Sequence, residues 1–298
     1  MPTTSIYVQY REPSPLQQVW IHFRDNPFAL AALYVFVLIL LLMILAPWLA
    51  PHDAMQQFSE RVLVPPSWDE QGQINFFFGT DDLGRDVLSR ILYGARYSLG
   101  YPLLIVVIAG VIGCAIGAAA GLSKGIKSSS LNHLLDVVLS IPSLLLALII
   151  IAILGPDLGN VVFAISLVLI PQFIHSVRNA VHDELYKDYV IAARLNGCSQ
   201  WYLLTRVILP NITTVIVMQI TLALSTAILD IAALGFLGLG VQAPLPEWGT
   251  MLARSLDQVY VSPWVMALPG LALFLTVFSI NVIGDSLRAA IKERVGSS

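Results

Sequence analysis

Apolar residues in this chain gather into six long runs, at positions 28–50, 99–122, 131–154, 161–177, 212–237 and 264–283, separated by polar segments. A helix needs about 20 residues to cross the hydrocarbon of a bilayer, and each run is near that length. Backbone N–H and C=O groups in lipid must bond within their own element, so such runs predict transmembrane helices. The run at 161–177 is the shortest. The pattern predicts an all-α polytopic membrane protein with six transmembrane helices.

Composition agrees. The chain has 298 residues, 57% hydrophobic and 12% charged, whereas soluble proteins carry about 25% charge. Six spans place both termini on one side. Eleven of the sixteen Lys and Arg residues fall on that side, among them Arg11, Arg24, Lys187, Arg194 and Arg288. Basic residues concentrate on the cytoplasmic side, so the termini and the loop around Asp188 are expected in the cytoplasm. No cleavable signal peptide is expected: the first run starts late, is long, and lacks a small-residue cleavage site, so it remains as an anchor. Cys114 lies inside the second run and Cys198 in a cytoplasmic loop, so no disulfide and no metal spacing are expected. A net charge of −3 with scattered basic residues excludes a nucleic-acid binder.

The chain divides accordingly. Residues 1–27 form a cytoplasmic N-terminal segment, loosely ordered over 1–13. There Leu16, Val19, Trp20 and Phe23 at helical spacing predict either an interfacial amphipathic helix or a lead-in to the first span. The first transmembrane helix covers 28–50. Residues 51–98 read as a folded outer cap, rich in prolines and aromatics, with seven acids against four arginines. A five-helix core follows over 99–288, with a cytoplasmic loop at 181–206, and a cytoplasmic tail over 289–298. Gly110, Gly113, Gly117 and Gly121 repeat at helical spacing in the second run, a surface that lets another helix approach closely.

The loop at 181–206 carries Asp183, Glu184, Lys187 and Asp188, then a helix-favouring Ala192-Ala193 that Gly197 stops or bends. A short amphipathic piece, Trp201 to Leu204, leads on to Leu209-Pro210. Two short helices at an angle form either a docking knob or a plain solvated loop helix.

Ionisable and polar residues within spans are costly in lipid and are candidates for function. Asp230, with Ser225 and Thr226 nearby and Asn281 on the last run, either faces a water-filled path suited to cationic substrates or is pinned between helices. Asp136 and His133, ahead of Pro142, read as inner-surface contacts next to a kink, and His175 and Arg178 as interfacial. Pro246 and Trp248 either contribute to an outer gate or anchor at the interface.

Rival classes fare less well. The chain has no G-x-x-x-x-G-K-[ST] nucleotide motif. Gly121-Leu122-Ser123-Lys124-Gly125 fits G-x-S-x-G but follows an apolar helix, not a strand. Asp230 and Asp285 sit at opposite depths and cannot form an acid dyad. Secondary transport leaves the loop unexplained, and no internal duplication supports it.

Ala192, Ala193, Gly197, Val207, Leu209 and Pro210 match the spacing of the ABC-importer permease signature, Glu-Ala-Ala, three residues, Gly, nine residues, Ile-x-Leu-Pro. Ile191 stands at the Glu position and Val207 at the Ile. Gly79 to Arg90 with Tyr93 to Leu99, and Leu234 to Gly240 with Pro246 to Gly249, resemble the C subunits of dipeptide, oligopeptide and nickel permeases. Together these segments span 79–250. Asn132 to Asp136, Ile141 to Ala147, Val181 to Leu185, Leu229 to Phe236 and Ile191 are similar to the Sap branch of that family.

The resemblance implies a MetI-like permease fold in a bacterial inner membrane, and a non-catalytic subunit. Ile191, Ala192, Ala193, Arg194, Gly197, Leu209 and Pro210 would couple to an ATPase. It implies a second homologous permease subunit, two cytoplasmic ATPase subunits that bind ATP and Mg, a periplasmic solute-binding protein of Sap type, and no cofactor in this chain. The implied cargo is peptides, antimicrobial peptides among them, or putrescine, with dipeptide, oligopeptide or nickel uptake as the alternative.

Overall fold

The computed structural model describes residues 15–123 and 126–296. The N-terminal stretch expected to be loose, 1–13, lies outside the described residues, as do Lys124, Gly125 and the last two residues of the tail. The described residues are helical, apart from turns and one isolated bridge between Thr80 and Asp86.

An interfacial-length helix α1 (Pro15–Arg24) precedes the first span, α2 (Pro27–Leu49). Asn26 caps α2 by accepting from the N–H groups of Phe28 and Ala29, and Pro27 fits the first turn, where its missing N–H costs nothing. Phe23 is buried with Ala29 of α2 and Ala290 near the end of the last helix.

The segment expected as an outer cap is folded, but its boundary differs from the expected 51–98. Turns occupy 51–86. Asp86 then caps α3 (Val87–Ala95), its Oδ2 accepting from the Ser89 N–H at 2.9 Å. A π-helical turn, Arg96–Gly100, joins α3 to α4 (Tyr101–Leu122), so 87–98 belongs to the second span. In the cap Asp81 lies 2.7 Å from Arg85 and 3.4 Å from Arg90. Arg90 also donates to the Ala54 carbonyl. All three charged groups are buried; both arginines lie against the Asp81 carboxylate, and Arg85 is also 3.4 Å from Asp82, which offsets the cost of burial.

The third run is not one straight span. It is broken into α5 (Ile126–Leu139) and α6 (Ser143–Leu154), with an 84° bend between them. Pro142 explains the break: it brings no N–H and pushes Ile141 out of the helical region. The kink expected next to Pro142 is thus a sharp break in the span.

The run expected at 161–177 becomes α7 (Leu158–Glu184), capped by Asp157 at its start. Its 27 residues rise about 40 Å, some 10 Å more than the hydrocarbon core. The polar end from Asn179 onward therefore leaves the membrane as a rigid stalk.

The remaining spans are α11 (Thr213–Phe236) and α13 (Pro263–Gly296). The tail expected at 289–298 thus continues α13 as helix through Gly296. A short helix α12 (Trp248–Ser255) packs between α11 and α13 at the cap end.

The glycine stripe of α4 faces α7. A Cβ on Gly113 would lie 2.4 Å from Phe173 Cβ, and one on Gly121 would lie 2.6 Å from Val181 Cβ. The two helices therefore run the same way. Lipid is as apolar as leucine, so such close backbone packing, rather than escape from water, holds the bundle. Gly284 against Thr221, and Ser225 against Asn281, show α11 and α13 antiparallel. The start of α2, the end of α13 and the end of α7 consequently share one end of the bundle, opposite the cap.

Candidate functional site: a knob and a polar cleft

At the end opposite the cap, α7 leads into α8 (Asp188–Leu195), α9 (Gln200–Tyr202), a π-helical segment at Leu203–Ile208, and α10 (Leu209–Asn211). The loop expected at 181–206 is therefore displaced: α7 claims 181–184, and the second arm runs from Gln200 to Asn211 instead of ending near 204. Pro210 accounts for the π segment. It has no N–H to offer the Arg206 carbonyl, and the widened register lets the Leu209 N–H reach the Leu204 carbonyl.

Gly197 ends α8 with φ +82°, a left-handed conformation. The N–H groups of Asn196, Gly197 and Cys198 turn back to the carbonyls of Ala192, Arg194 and Ala193. Ser199 then caps α9, its Oγ accepting from the Tyr202 N–H at 3.3 Å.

The two arms are fixed from beneath. Val190 is buried with Val181, Leu185, Leu203, Leu204 and Ile208. Glu184, also buried, accepts from the Tyr189 hydroxyl and lies 2.7 Å from Lys187 Nζ. On the outside, Ile191, Ala192, Arg194, Gly197 and Pro210 are exposed, while Ala193 and Leu209 are half-buried against the small core. Leu195 is 83% exposed and Trp201 74%. An apolar tip on a braced base is a surface made for a partner. Arg194 borders a cleft of about 250 Å³ with Cys198 and Gln200. Sequence reasoning missed Glu184, Tyr189 and Val190 as the brace; the i, i+3 spacing of Glu184 and Lys187 was the available signal.

A second feature lies where α5 bends away from α6. A cleft of about 390 Å³ is lined by Leu139, Gln172, His175, Ser176, Gln219, Leu222 and Thr226. Ser176 Oγ donates to Gln219 Oε1 at 2.7 Å, tying α7 to α11. At its edge His175 Nδ1 is 3.9 Å from an Asp136 carboxylate oxygen, and Asn179 bonds the other ring nitrogen.

Of the residues expected along a substrate path, Thr226 lines this cleft. Ser225 donates to Asn281 Oδ1 at 2.8 Å, joining α11 to α13. Asp230 is placed inside, 7% exposed, with a side-chain hydrogen bond to Ser143 at the start of α6. Its Oδ2 is buried and has no hydrogen-bond partner among the described residues. Gln172 and Ser176 were not singled out, because only the fold brings them opposite Gln219 and Thr226.

The gate residues are likewise interior. Pro246 is buried, and Trp248 is 1% exposed with its indole N–H donating to the Ile91 carbonyl at 3.1 Å. That leaves Trp248 no free face for a gate. Beside it, buried Glu247 caps α12, accepting from the N–H groups of Gly249 and Thr250 and from the hydroxyls of Thr250 and Ser98. Burial pushes the Glu247 carboxyl pKa up, and these donors pull it back.

A membrane bundle with a braced, apolar-tipped knob at one end is an importer-type permease subunit. Residues 113–297 match the family described as binding-protein-dependent transport system inner membrane component, and residues 14–66 match the N-terminal domain of oligopeptide transport permease C. The chain belongs to this family of ABC permeases, in its peptide branch. It is 49% identical over 291 residues to the peptide transport system permease protein SapC of Salmonella typhimurium, covering 98% of each chain. It is 48% identical to the di/tripeptide permease protein DppC of Pseudomonas aeruginosa, covering 95% of this chain and 93% of that one. The fold is shared with a chain of the MetNI methionine ABC transporter in an inward-facing conformation, with TM-score 0.57 and 19% identity, over 68% of this chain and 96% of that one. The chain is thus a non-catalytic, multi-pass inner-membrane subunit of a peptide ABC transporter, working with ATPase and binding-protein partners.

Proposed function

We propose that this chain is one of two non-identical permease subunits of a peptide transporter, and that its knob seats in a groove of a cytoplasmic ATPase subunit. The observation that carries this reading is the exposed apolar tip held on the Glu184 brace. A rigid joint of this kind transmits the motion of a soluble partner to the spans. α7 passes unbroken from the bundle into the knob, which gives that motion a lever. Both termini and the knob face the cytoplasm in this reading, as the distribution of basic residues supports, and the cap receives a periplasmic solute-binding protein. Two ATPase subunits bind ATP and Mg, and their cycle rocks the spans. Arg194, exposed beside the cleft at Cys198 and Gln200, supplies a polar contact where Ile191 replaces the expected acid.

The substrates are short peptides; similarity to both SapC and DppC supports this cargo. The Sap-type assignment adds antimicrobial peptides and putrescine as cargoes to be compared. The test is purification of the whole complex and its reconstitution in vesicles, with dipeptides, putrescine or nickel supplied on either side. ATPase subunits that co-purify, and dipeptide movement that needs ATP, are the expected results. Arg194→Ala with Leu195→Ala should release the ATPase subunits. Retention of the ATPase despite these changes would overturn the knob assignment.

A further inference from the structure

The break between α5 and α6 leaves Ser140, Ile141 and Pro142 exposed. It lies one full helix, the 12 residues of α6, below the far end of that span, a rise of about 18 Å and so near mid-membrane. Non-helical backbone at such depth does not face lipid; it faces water or protein. The cleft beside it is therefore on the side of the bundle turned away from hydrocarbon.

Its lining is polar but almost uncharged. Gln172 and Ser176 are four apart and share a face of α7; Gln219 and Thr226 are seven apart and share a face of α11. Among the described residues, the side chains of Gln172 and Thr226 have no hydrogen-bond partner, and Gln219 spends only its oxygen, on Ser176. A carboxamide offers two donors and an acceptor, and a hydroxyl offers both roles. Polar side chains inside a membrane bundle normally satisfy one another across helices. Here two facing rows keep capacity in reserve around an open space of about 390 Å³.

The ligand chemistry follows. Mixed donors and acceptors without net charge complement amide groups. An extended peptide repeats such groups about every 3.5 Å. The rows extend about 6 Å on α7 and about 10 Å on α11, the length of two or three residues. Leu139 and Leu222 give apolar walls and Asp136 with His175 forms one rim, so the contacts to the cargo's side chains are few.

We propose that this cleft is a main-chain contact site, in which Gln172, Ser176, Gln219 and Thr226 hydrogen-bond the amide groups of a passing peptide whatever its side chains. The proposal deepens the peptide-permease reading and rests on it. The test uses the complete reconstituted transporter with the double variant Gln172→Leu/Gln219→Leu and, separately, Thr226→Val. Neutral, acidic and basic dipeptides are compared with one another and with an N-methylated dipeptide.

The double variant should lower transport of all three ordinary dipeptides by the same factor, about tenfold. Its loss on the N-methylated one should be smaller, because that peptide keeps its carbonyl for the Gln219 donors but has no N–H to give Gln172, and ATPase co-purification should be unchanged. Unaltered transport of ordinary dipeptides, or a loss confined to one charge class, would overturn the site while leaving the permease reading intact. A wild-type complex that moves no dipeptide would overturn the peptide reading and the site together. Should the double variant fail to assemble, Thr226→Val decides by the same comparison.

Discussion

The Ser98 hydroxyl donates to Glu247 Oε1 at 3.1 Å and accepts from the Trp248 N–H at 2.9 Å, joining residues 149 and 150 positions apart. It fastens α12 to the π-helical turn at the head of α4. The Glu247 carboxylate is the common acceptor for the start of α12, and neither it nor its donors reach solvent freely. Glu247→Ala should strand the buried N–H groups of Gly249 and Thr250, at about 1–3 kcal/mol. Ser98→Ala should cost less, because Glu247 keeps its other donors. Thermal unfolding in detergent checks the order; equal midpoints for wild type and Glu247→Ala would show that the link contributes nothing.

Gly197 tests the knob from a different direction. A Cβ there meets nothing within 4 Å, so any penalty comes from the φ of +82° and not from crowding. Gly197→Val should cost about 1–3 kcal/mol locally, because a β-branched residue resists the left-handed region. Gly197→Asn, which tolerates that region, should keep ATP-coupled transport near wild type. The contrast between Val and Asn, measured as dipeptide transport per ATP hydrolysed, separates backbone strain from loss of a side-chain contact.

The glycine stripe gives a graded prediction within one helix face. At Gly110 the nearest atom to an added Cβ is 3.6 Å away, an ordinary contact, whereas at Gly113 it is 2.4 Å. Gly110→Ala should leave the thermal midpoint of the complex unchanged. Gly113→Ala must part α4 from α7 and should lower it, at a cost of about 1–3 kcal/mol. A reversed order would mean that the stripe does not set the spacing of this pair.

These contrasts also show what could be read before the fold was known. Six apolar runs, the glycine stripe and the stop at Gly197 are local signals, and each corresponds to a feature of the structure. Pro142 marked a kink in the third run, but its size, 84°, was not legible, because a proline shows where a helix is interrupted and not by how much. The extension of α7 to Glu184 was hidden by the opposite effect: a polar sequence marks the end of the hydrocarbon, not the end of the helix. The cleft depends on two helices whose polar residues are about 40 positions apart, Ser176 and Gln219 among them, and no single-helix pattern pairs them.

Asp230 was expected either to face a substrate path or to be pinned between helices, and its place in the structure allows a sharp test between the two. Its carboxylate bonds the Ser143 side chain, the first residue after the break, so it holds α6 against α11 where the third span changes direction. Asn at this position still offers an oxygen to Ser143; Leu does not. If the tether is the role, Asp230→Asn should leave transport of neutral and cationic dipeptides alike within about threefold of wild type, since one net hydrogen bond is retained. Asp230→Leu should lower both by about tenfold or more, because Ser143 loses its partner inside the bundle. The ratio of cationic to neutral transport is the deciding measurement. A fall in that ratio for Asp230→Asn would mean that the charge itself meets the cargo, in a conformation where the carboxylate is no longer buried.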